Sequence, residues 1–532
     1  MATLSLRLML SLFSLILIIS LLVLAINKKI YHRVLTKSFP PPLPPGPKPW
    51  PVFGCLFEMI KNKPAYKWIH KIMFEMNTDI ACIRLGHVHV ITVTSPELAC
   101  EILKTQDSIF LSRPLSMVAD ICSNGYLSVI LSPYGDQWKK MKKILVSSLI
   151  SPTRHAWITS KISEEANHTV RYIFNQCRYS ATGGTVMNVR SIAKHYSASV
   201  IKSMIFSKRF FRTGTEDRGA PSAEDDEHLN AIFTILAYIH SFSISDFLPW
   251  IRIFDLDGHG KIVRESLTIV RKYHDPEINK RILSWENGLK SKEVDFLDVL
   301  LMLKDENGKP MLTIEETEAL IMDLMIATMD NPSNAVEWTL AEMINEPELL
   351  VRAREELDSV VGKERLVEVS DLPKLNYIKA CVREAFRLHP IAPFNAPHAS
   401  TKDTTVGGYF IPKGSHIFLS RLGIGRNPHV WEEPLTFKPE RHLKNQTSEV
   451  VLNDSELNLF SFGIGRRGCP CVTIGSMMTT LMLARLLQGF TWTIPSDVSK
   501  IELTESKNDL FLEKPLLSYV KPRLQTNIYL EG

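Results

Sequence analysis

Phe462-Gly463-Ile464-Gly465-Arg466-Arg467-Gly468-Cys469 is a glycine-rich loop that brings one cysteine to the start of an apolar segment, residues 474–487. That segment is apolar on nearly every face, which predicts a helix buried in the core. Amide groups at the first turn of a helix stabilise a thiolate, and glycines let a flat ligand approach the backbone closely. The loop therefore predicts an anionic thiolate site at Cys469, with Arg467 available to pair with a carboxylate.

Two other interpretations of this cysteine exist. A cysteine in a turn is commonly without a function. A zinc site formed by Cys469 and Cys471 would need a second pair of ligands nearby, and the sequence offers none.

Residues 313–345 predict one long helix. Thr313 and Glu316 have the spacing of a capping box, which marks its N-terminus. Residues 319–329 are apolar on all faces except at Asp323, so we expect this helix to run through the middle of the protein.

Pro332 lies inside that helix. It has no N–H and its ring meets the carbonyl of Thr328, so we expect a kink there, or else a plain break between two helices. With Asp330 and Asn331 beside it, the kink forms a polar notch in a buried helix, which suggests a functional site.

The remaining segments are mainly helical. Residues 80–93 alternate around Gly86-His87 and predict a β-hairpin, and Ser95-Pro96-Glu97 predicts a helix start. Further helices are predicted over 227–241, 276–289 and 349–361, and short strands near 405–411.

The composition is that of a globular protein. Hydrophobic residues make up 45% and charged residues 22% of the 532 residues, which excludes disorder and a polytopic membrane protein. The net charge of +5 is too small to indicate a nucleic-acid partner, but it is compatible with an acidic protein partner or a membrane surface. Eight cysteines are too few for a disulfide scaffold, which favours a reducing compartment.

The N-terminus predicts a membrane anchor. Residues 8–26 carry no charge and are about long enough to cross a bilayer as a helix. A cleaved signal peptide is the alternative, but no small-x-small site follows. One basic residue, Arg7, precedes the segment, whereas four follow it, which places the rest of the chain in the cytosol: Lys28, Lys29, Arg33 and Lys37.

Phe462, Gly465, Arg467 and Cys469 have the spacing F-x-x-G-x-R-x-C, and in this the chain resembles the cytochrome P450 superfamily. Four further marks agree in the same order along the whole chain: Pro44-Pro45-Gly46-Pro47, Trp138 with Lys142, Glu384-Ala385-Phe386-Arg387 and Pro439-Glu440-Arg441.

The resemblance implies a mainly α fold with small β-sheets, the cytochrome P450 fold, behind an N-terminal transmembrane helix. The implied domains are an anchor over 1–30, a basic and proline-rich linker over 31–51, and a haem-thiolate monooxygenase domain over 52–532. The protein would be a single-pass protein of the endoplasmic reticulum membrane with a cytosolic catalytic domain.

The family also implies roles for individual residues. Its cofactor is haem b, whose iron would take the Cys469 thiolate as ligand. Glu384 and Arg387 would lock with Arg441 beneath the haem. The residues expected to face the haem propionates are Trp138, Lys142, Arg467 and His442.

This chain departs from the family pattern at several positions. Lys142 replaces a commoner Arg, Pro470 follows the ligand, and Cys471 occupies a position that is usually Gly or Ala. In the family pattern, the long helix carries a Thr directly after an acidic residue, and this Thr helps deliver protons at the iron. Residues 327–333 of this chain are Ala-Thr-Met-Asp-Asn-Pro-Ser, so Asn331 occupies the position of that Thr. We therefore expect Asp330, Asn331 and Thr328 to be the catalytic residues of the notch.

Asn331-Pro332 at this place resembles the plant amino-acid N-monooxygenases that form aldoximes. Residues 138–141 (Trp-Lys-Lys-Met), 393–398 (Pro-Phe-Asn-Ala-Pro-His) and 439–442 (Pro-Glu-Arg-His) resemble them as well. The implied reaction hydroxylates an α-amino acid twice on nitrogen, using O₂ and electrons from NADPH–cytochrome P450 reductase. Loss of water and CO₂ then leaves an aldoxime, as in glucosinolate or cyanogenic glucoside synthesis.

The substrate side chain is less defined by the sequence. Family substrate-contact segments map near 114–127, 394–398 and 510–512. Phe394, Phe511 and Leu512 suggest an apolar pocket, and Asn395 suggests a contact with the polar end of the amino acid, although the aromatic residues are equally compatible with the core. An aliphatic or aromatic amino acid such as Leu or Phe fits this pocket.

Three other functions are compatible with the same motifs: an ordinary C-hydroxylating cytochrome P450, a haem-thiolate lyase that does not use O₂, and a non-catalytic haem binder at the membrane. The complete Glu384, Arg387 and Arg441 set argues against the last of these.

Overall fold

Helices dominate the computed structural model, which describes residues 41–210, 221–443, 449–454, 458–506 and 510–531. The predicted anchor and the first part of the linker lie outside these residues. Among the described helices, none is both long enough and apolar enough to span a bilayer.

The described α-helices are α1 Leu56–Lys61, α2 Ala65–Glu75, α3 Pro96–Cys100, α4 Asp107–Phe110, α5 Met117–Cys122, α6 Asp136–Ile144, α7 His155–Arg178, α8 Val189–Phe206, α9 Ala223–Ile239, α10 Ile244–Phe247, α11 His259–Glu286, α12 Phe296–Met302, α13 Ile314–Asn345, α14 Pro347–Val360, α15 Asn376–Leu388, α16 Arg421–Gly425, α17 Val472–Gly489 and α18 Thr526–Glu531. Short 3₁₀ turns include Pro439–His442 and Gly465–Arg467.

The strands are β1 Ile80–Leu85, β2 Val88–Val93, β3 Thr185–Asn188, β4 His398–Ala399, β5 Thr404–Val406, β6 Tyr409–Ile411, β7 His416–Leu419, β8 Phe490–Thr493 and β9 Leu517–Pro522. They form three small sheets, in the orders β1-β2-β7-β4, β3-β9-β8 and β5-β6. The β1–β2 hairpin confirms the prediction over 80–93. Strand β2 pairs in parallel with β7, so that Val90 lies opposite His416.

The long helix α13 forms the centre of the core. The Thr313 side chain accepts from the N–H of Glu316, and the Glu316 side chain accepts from the N–H of Thr313, which confirms the predicted capping box. The helix packs most extensively against α8 and also against α17 and α15. It is continuous through Pro332, so the alternative of a break between two helices is wrong.

One helix boundary differs from the prediction. Pro276 was expected near the start of a helix, but α11 begins at His259 and runs through Pro276. Val270, His274 and Ile278 on this helix are buried. Burial of this side of α11 stabilises the helix although Pro276 removes one backbone hydrogen bond.

Candidate active site

The cysteine loop is closed by its own backbone. The N–H of Cys469 donates to the carbonyl of Phe462 at 2.9 Å, and Gly463 and Gly465 have positive φ angles of 70° and 75°. A Cβ atom at Gly465 would lie 2.4 Å from the carbonyl oxygen of Leu103. Glycine at 465 is therefore needed both for the turn and for the close approach of a neighbouring segment.

Cys469 is exposed at the end of this loop. Burial raises the pKa of the thiol, whereas the N–H of Cys471, 3.4 Å from Sγ, and the charge of Arg421 lower it. Cys471 is half-buried, and burial raises the pKa of its thiol.

Helix α13 lines a cavity together with the cysteine loop. Ala327 is exposed in the middle of a helix whose other residues are mostly buried, and Thr328 and Asn331 are half-buried. The Asn331 side chain donates to the carbonyl of Ala327 at 3.4 Å. Asn331 and Phe462 line one cavity, so the notch faces the cysteine loop. We call this space the cysteine slot.

Asp330 is 5% exposed, and its carbonyl accepts a hydrogen bond from the Ser333 hydroxyl at 2.9 Å. The Asp330 carboxylate interacts electrostatically with Arg421, which lines the same cavity as Asn331. Asp330 and Asn331 thus both lie near Arg421, and Thr328 precedes them on the same helix; their catalytic role stays a prediction.

A cluster of cations lies at the edge of the loop. Arg467 donates to the carbonyls of Leu111 at 2.7 Å and Ser132 at 2.9 Å, and its guanidinium lies 4.3 Å from the centre of the Trp138 ring. The Lys142 ammonium lies 5.0 Å from the same ring. This arrangement brings Trp138, Lys142 and Arg467 together.

Sequence reasoning missed Arg113, which belongs to this cluster, and did not single out His398, a neutral side chain beside it. Arg113 donates to the carbonyls of Ala396 at 2.6 Å and Pro397 at 3.0 Å. Burial and the charges of Arg113 and Arg467 lower the pKa of His398 to about 3, although its hydrogen bond to Phe110 raises it. A single sequence gives no signal that separates Arg113 from a surface arginine.

The cluster has an excess of positive charge. Burial lowers the pKa of Arg113 to about 10, and burial and the charge of Arg113 lower that of Arg467 to about 9. Within the described part of the chain, no carboxylate lies at ion-pair distance from either of them. An acidic ligand bound beside them would supply the missing negative charge.

Glu384 holds a separate ionic network. Its carboxylate accepts from Arg387 at 2.7 Å, Arg441 at 2.9 Å and His442 at 2.8 Å. Burial alone would raise the pKa of Glu384, but hydrogen bonds from Arg387 and His442 outweigh it and hold the pKa at about 2. This network joins helix α15 to the 3₁₀ turn Pro439–His442.

His442 lies in this network and not where the sequence predicts it. His442 was expected among the residues that face the haem propionates, but its Nε2 atom bonds Glu384 and its side chain is buried there. Two basic residues adjacent in sequence, Arg441 and His442, both reach the one buried carboxylate. A spacing motif does not indicate which way the second of them turns.

The four predicted substrate residues lie outside the cavity that contains Asn331. Phe394 stacks on His70, with ring centres 5.4 Å apart, and belongs to an aromatic cluster with Phe418. The Asn395 amide oxygen accepts from Arg421.

The other two residues pack against helix α8. The Phe511 ring lies 5.7 Å from the Arg190 guanidinium and 5.5 Å from the Lys194 ammonium. Leu512 is 1% exposed, so it is a core residue, and its carbonyl accepts from Arg190 at 2.5 Å. The structure thus favours the core interpretation for Leu512.

An exposed cysteine in a loop that shares a cavity with a long helix, beside two arginines without a carboxylate partner among the described residues, has the donor set of a haem-thiolate protein. The thiolate would be the ligand for the haem iron, and the cations would match the two haem carboxylates. The residues present therefore fit haem.

Comparison with known proteins agrees. The chain belongs to the cytochrome P450 family, whose model matches residues 44–521. Three relatives cover nearly all of it. It is 52% identical to the tyrosine N-monooxygenase of Sorghum bicolor, over 92% of this chain and 88% of the relative. It is 52% identical to isoleucine N-monooxygenase 1 of Lotus japonicus (97% and 96%) and 51% identical to the phenylalanine N-monooxygenase of Arabidopsis thaliana (96% and 98%).

Proposed function

We propose that this chain is an amino-acid N-monooxygenase that converts an α-amino acid to its aldoxime. Two N-hydroxylations consume two rounds of O₂ and of electrons from NADPH–cytochrome P450 reductase, and loss of CO₂ and water gives the oxime. The observation that carries the proposal is that Asn331 of the notch and Phe462 of the cysteine loop line one cavity, in a chain about half identical to relatives named amino-acid N-monooxygenases.

The haem, when bound through Cys469, supplies the activation of O₂ that this reaction needs. Phe462 and Gly465 shape the cysteine loop. Trp138, Lys142 and Arg467, together with Arg113, would hold the propionates by charge and hydrogen bonding.

The notch offers two polar side chains to the reaction. Asp330 is the ionisable side chain available for holding and moving protons there, and Asn331 supplies an amide beside it. An amine nitrogen is more electron-rich than a C–H bond, so a site that fixes this nitrogen in place requires less proton machinery. This accounts for Asn331 at the position where the family pattern has a Thr.

The relatives bear on which amino acid is the substrate. The three relatives take an aromatic, a branched aliphatic and another aromatic amino acid according to their names, at almost the same identity to this chain. Overall similarity therefore favours an apolar side chain without selecting one.

The test is reconstitution of the full chain with reductase, NADPH and each of the twenty amino acids in ¹⁵N-labelled form. We expect a labelled aldoxime from one or a few apolar amino acids, dependent on both NADPH and O₂. Carbon-hydroxylated product would support a C-hydroxylase instead, and turnover without NADPH and O₂ would support a lyase. No product from any amino acid would overturn the proposal.

We also propose that the enzyme is a single-pass protein of the endoplasmic reticulum membrane, with residues 52–532 in the cytosol. The uncharged segment 8–26 and the basic residues after it support this. Deletion of residues 1–30 should release the protein from microsomes. Protease added outside intact microsomes should digest the catalytic domain, and protection of that domain would contradict the orientation.

A further inference from the structure

Asp323 is a buried carboxylate on α13, one helical turn before Ala327. It is 4% exposed, and within the described part of the chain no cation lies at ion-pair distance from it. One of its oxygens, Oδ2, accepts from the N–H groups of Val129 at 2.5 Å and Ile130 at 2.9 Å. Residues four apart on a helix share a face, so Asp323 lies on the same side of α13 as Ala327 and the cysteine slot.

The backbone that Asp323 holds has its carbonyl groups bound to the cation cluster. Arg467 donates to the carbonyls of Val129 at 3.3 Å and Ser132 at 2.9 Å. Arg113 donates to the carbonyl of Ile130 at 3.3 Å. The same two peptide segments therefore bind a carboxylate through their N–H groups and two guanidinium groups through their carbonyls.

The backbone between Cys122 and Asp136 contains no helix or strand, so its position depends on such contacts. Removal of the Asp323 side chain would leave one buried and one half-buried N–H group without their acceptor, which is unfavourable. The peptide group that joins Val129 to Ile130 donates to Asp323 and accepts from Arg467, and hydrogen bonds in series polarise one another, so the Asp323 oxygen strengthens this carbonyl as an acceptor for Arg467.

We propose that Asp323 is a positioning residue for the cofactor: it holds residues 128–132 so that Arg113 and Arg467 point at the haem propionates, and it thereby joins α13 to that edge of the haem. The proposal rests on the haem site of the proposed function. It does not depend on which substrate the enzyme uses.

The test uses two variants of the haem-loaded full chain. Asp323→Ala removes the acceptor, whereas Asp323→Asn keeps one amide oxygen in its place. The readouts are the rate of haem transfer to excess apomyoglobin and the midpoint reduction potential, neither of which requires turnover. Loss of a supporting residue outside the ligand sphere commonly weakens a metal site by about tenfold or more.

We expect Asp323→Ala to release haem about tenfold faster than the natural protein and Asp323→Asn about threefold faster, both with shifted potentials. The control is Ile344→Ala, which creates a cavity near the other end of the same helix, where Ile344 is 4% exposed. It should lower the unfolding temperature and leave haem release unchanged.

Asp323→Asn releasing haem at the natural rate would overturn the proposal, even if Asp323→Ala does not fold. Equal acceleration by Ile344→Ala, at a matched unfolding temperature, would overturn it as well, because haem loss would then follow general stability. A chain that forms no aldoxime but shows the expected haem release would contradict the proposed function and leave the role of Asp323 standing.

Discussion

Two thiols are candidates for the iron ligand, Cys469 and Cys471, and their surroundings distinguish them. Cys469 is exposed in the loop closed by the bond to Phe462, whereas Cys471 is half-buried and its N–H donates to the Cys469 sulfur. Pro470 between them has no N–H, so this proline removes one donor that another residue would direct near the sulfur.

We therefore predict that Cys469→Ala abolishes thiolate ligation and that Cys471→Ala preserves it. The measurement is the difference spectrum of the reduced protein with CO, in which the thiolate ligand gives a red-shifted Soret band. Retention of this band in Cys469→Ala together with its loss in Cys471→Ala would show that the assignment is wrong.

Asp330 carries the second residue-scale prediction. Because it is the buried acid of the notch, Asp330→Asn should lower aldoxime formation by about 10²-fold, the lower range for loss of a general acid or base. NADPH oxidation should continue, with hydrogen peroxide as its product. The ratio of oxime to NADPH consumed is the measurement, and an unchanged ratio would show that water alone delivers the protons.

At the scale of elements, the Glu384 network ties helix α15 to the turn Pro439–His442. The pKa of Glu384 is held at about 2, below its ordinary value of 4.5. A carboxylate with a lowered pKa stabilises the fold above its ordinary pKa, and this contribution is lost as the pH falls towards the pKa in the folded state.

Arg441→Gln should accordingly lower the free energy of unfolding by about 2–3 kcal/mol at pH 7, because a buried carboxylate loses one of its charged partners. The loss should shrink as the pH falls from about 4.5 to about 2, where Glu384 takes up a proton. Denaturant titrations across this range measure it. Arg352→Gln, which breaks the surface pair with Glu440, is the matched control and should cost less than about 1 kcal/mol.

Local signals in the sequence were sufficient for several elements. The Thr313 capping box, the hairpin around Gly86-His87 and the closed loop before Cys469 each depend on residues a few positions apart, and all three are present. Pro276 and His442 were misplaced because packing between distant segments determines them. Neither the extension of α11 upstream of Pro276 nor the direction of the His442 side chain is encoded locally.

At the scale of the whole molecule, four lysines of α6 separate into two pairs. Lys140 binds Glu316 at 2.6 Å and Lys142 binds the carbonyl of Arg466, whereas Lys139 and Lys143 are exposed. The exposed pair lies on the helix that carries Trp138, close to the cysteine loop. Positive charge at this place suits an acidic surface of the reductase.

Charge reversal at Lys139 and Lys143 should slow reduction of the haem by the reductase, by about tenfold at low ionic strength and by less as salt is added. Stopped-flow reduction at several salt concentrations measures the effect. Lys413→Glu, at an exposed lysine outside α6, serves as the control. A reduction rate that is independent of salt in both the natural and the charge-reversed protein would contradict docking of the reductase at these lysines.

The parallel pairing of β2 with β7 has a consequence for synthesis of the chain. Strand β2 is made early, but its partner His416–Leu419 comes from the last quarter of the sequence. At ordinary translation rates, the ribosome needs on the order of tens of seconds to pass from one strand to the other. Until then the buried residues of β2, such as Ile91 and Val93, present an open apolar edge to which other nascent chains can add. We therefore expect the risk of aggregation to be highest while the chain between β2 and β7 is being made.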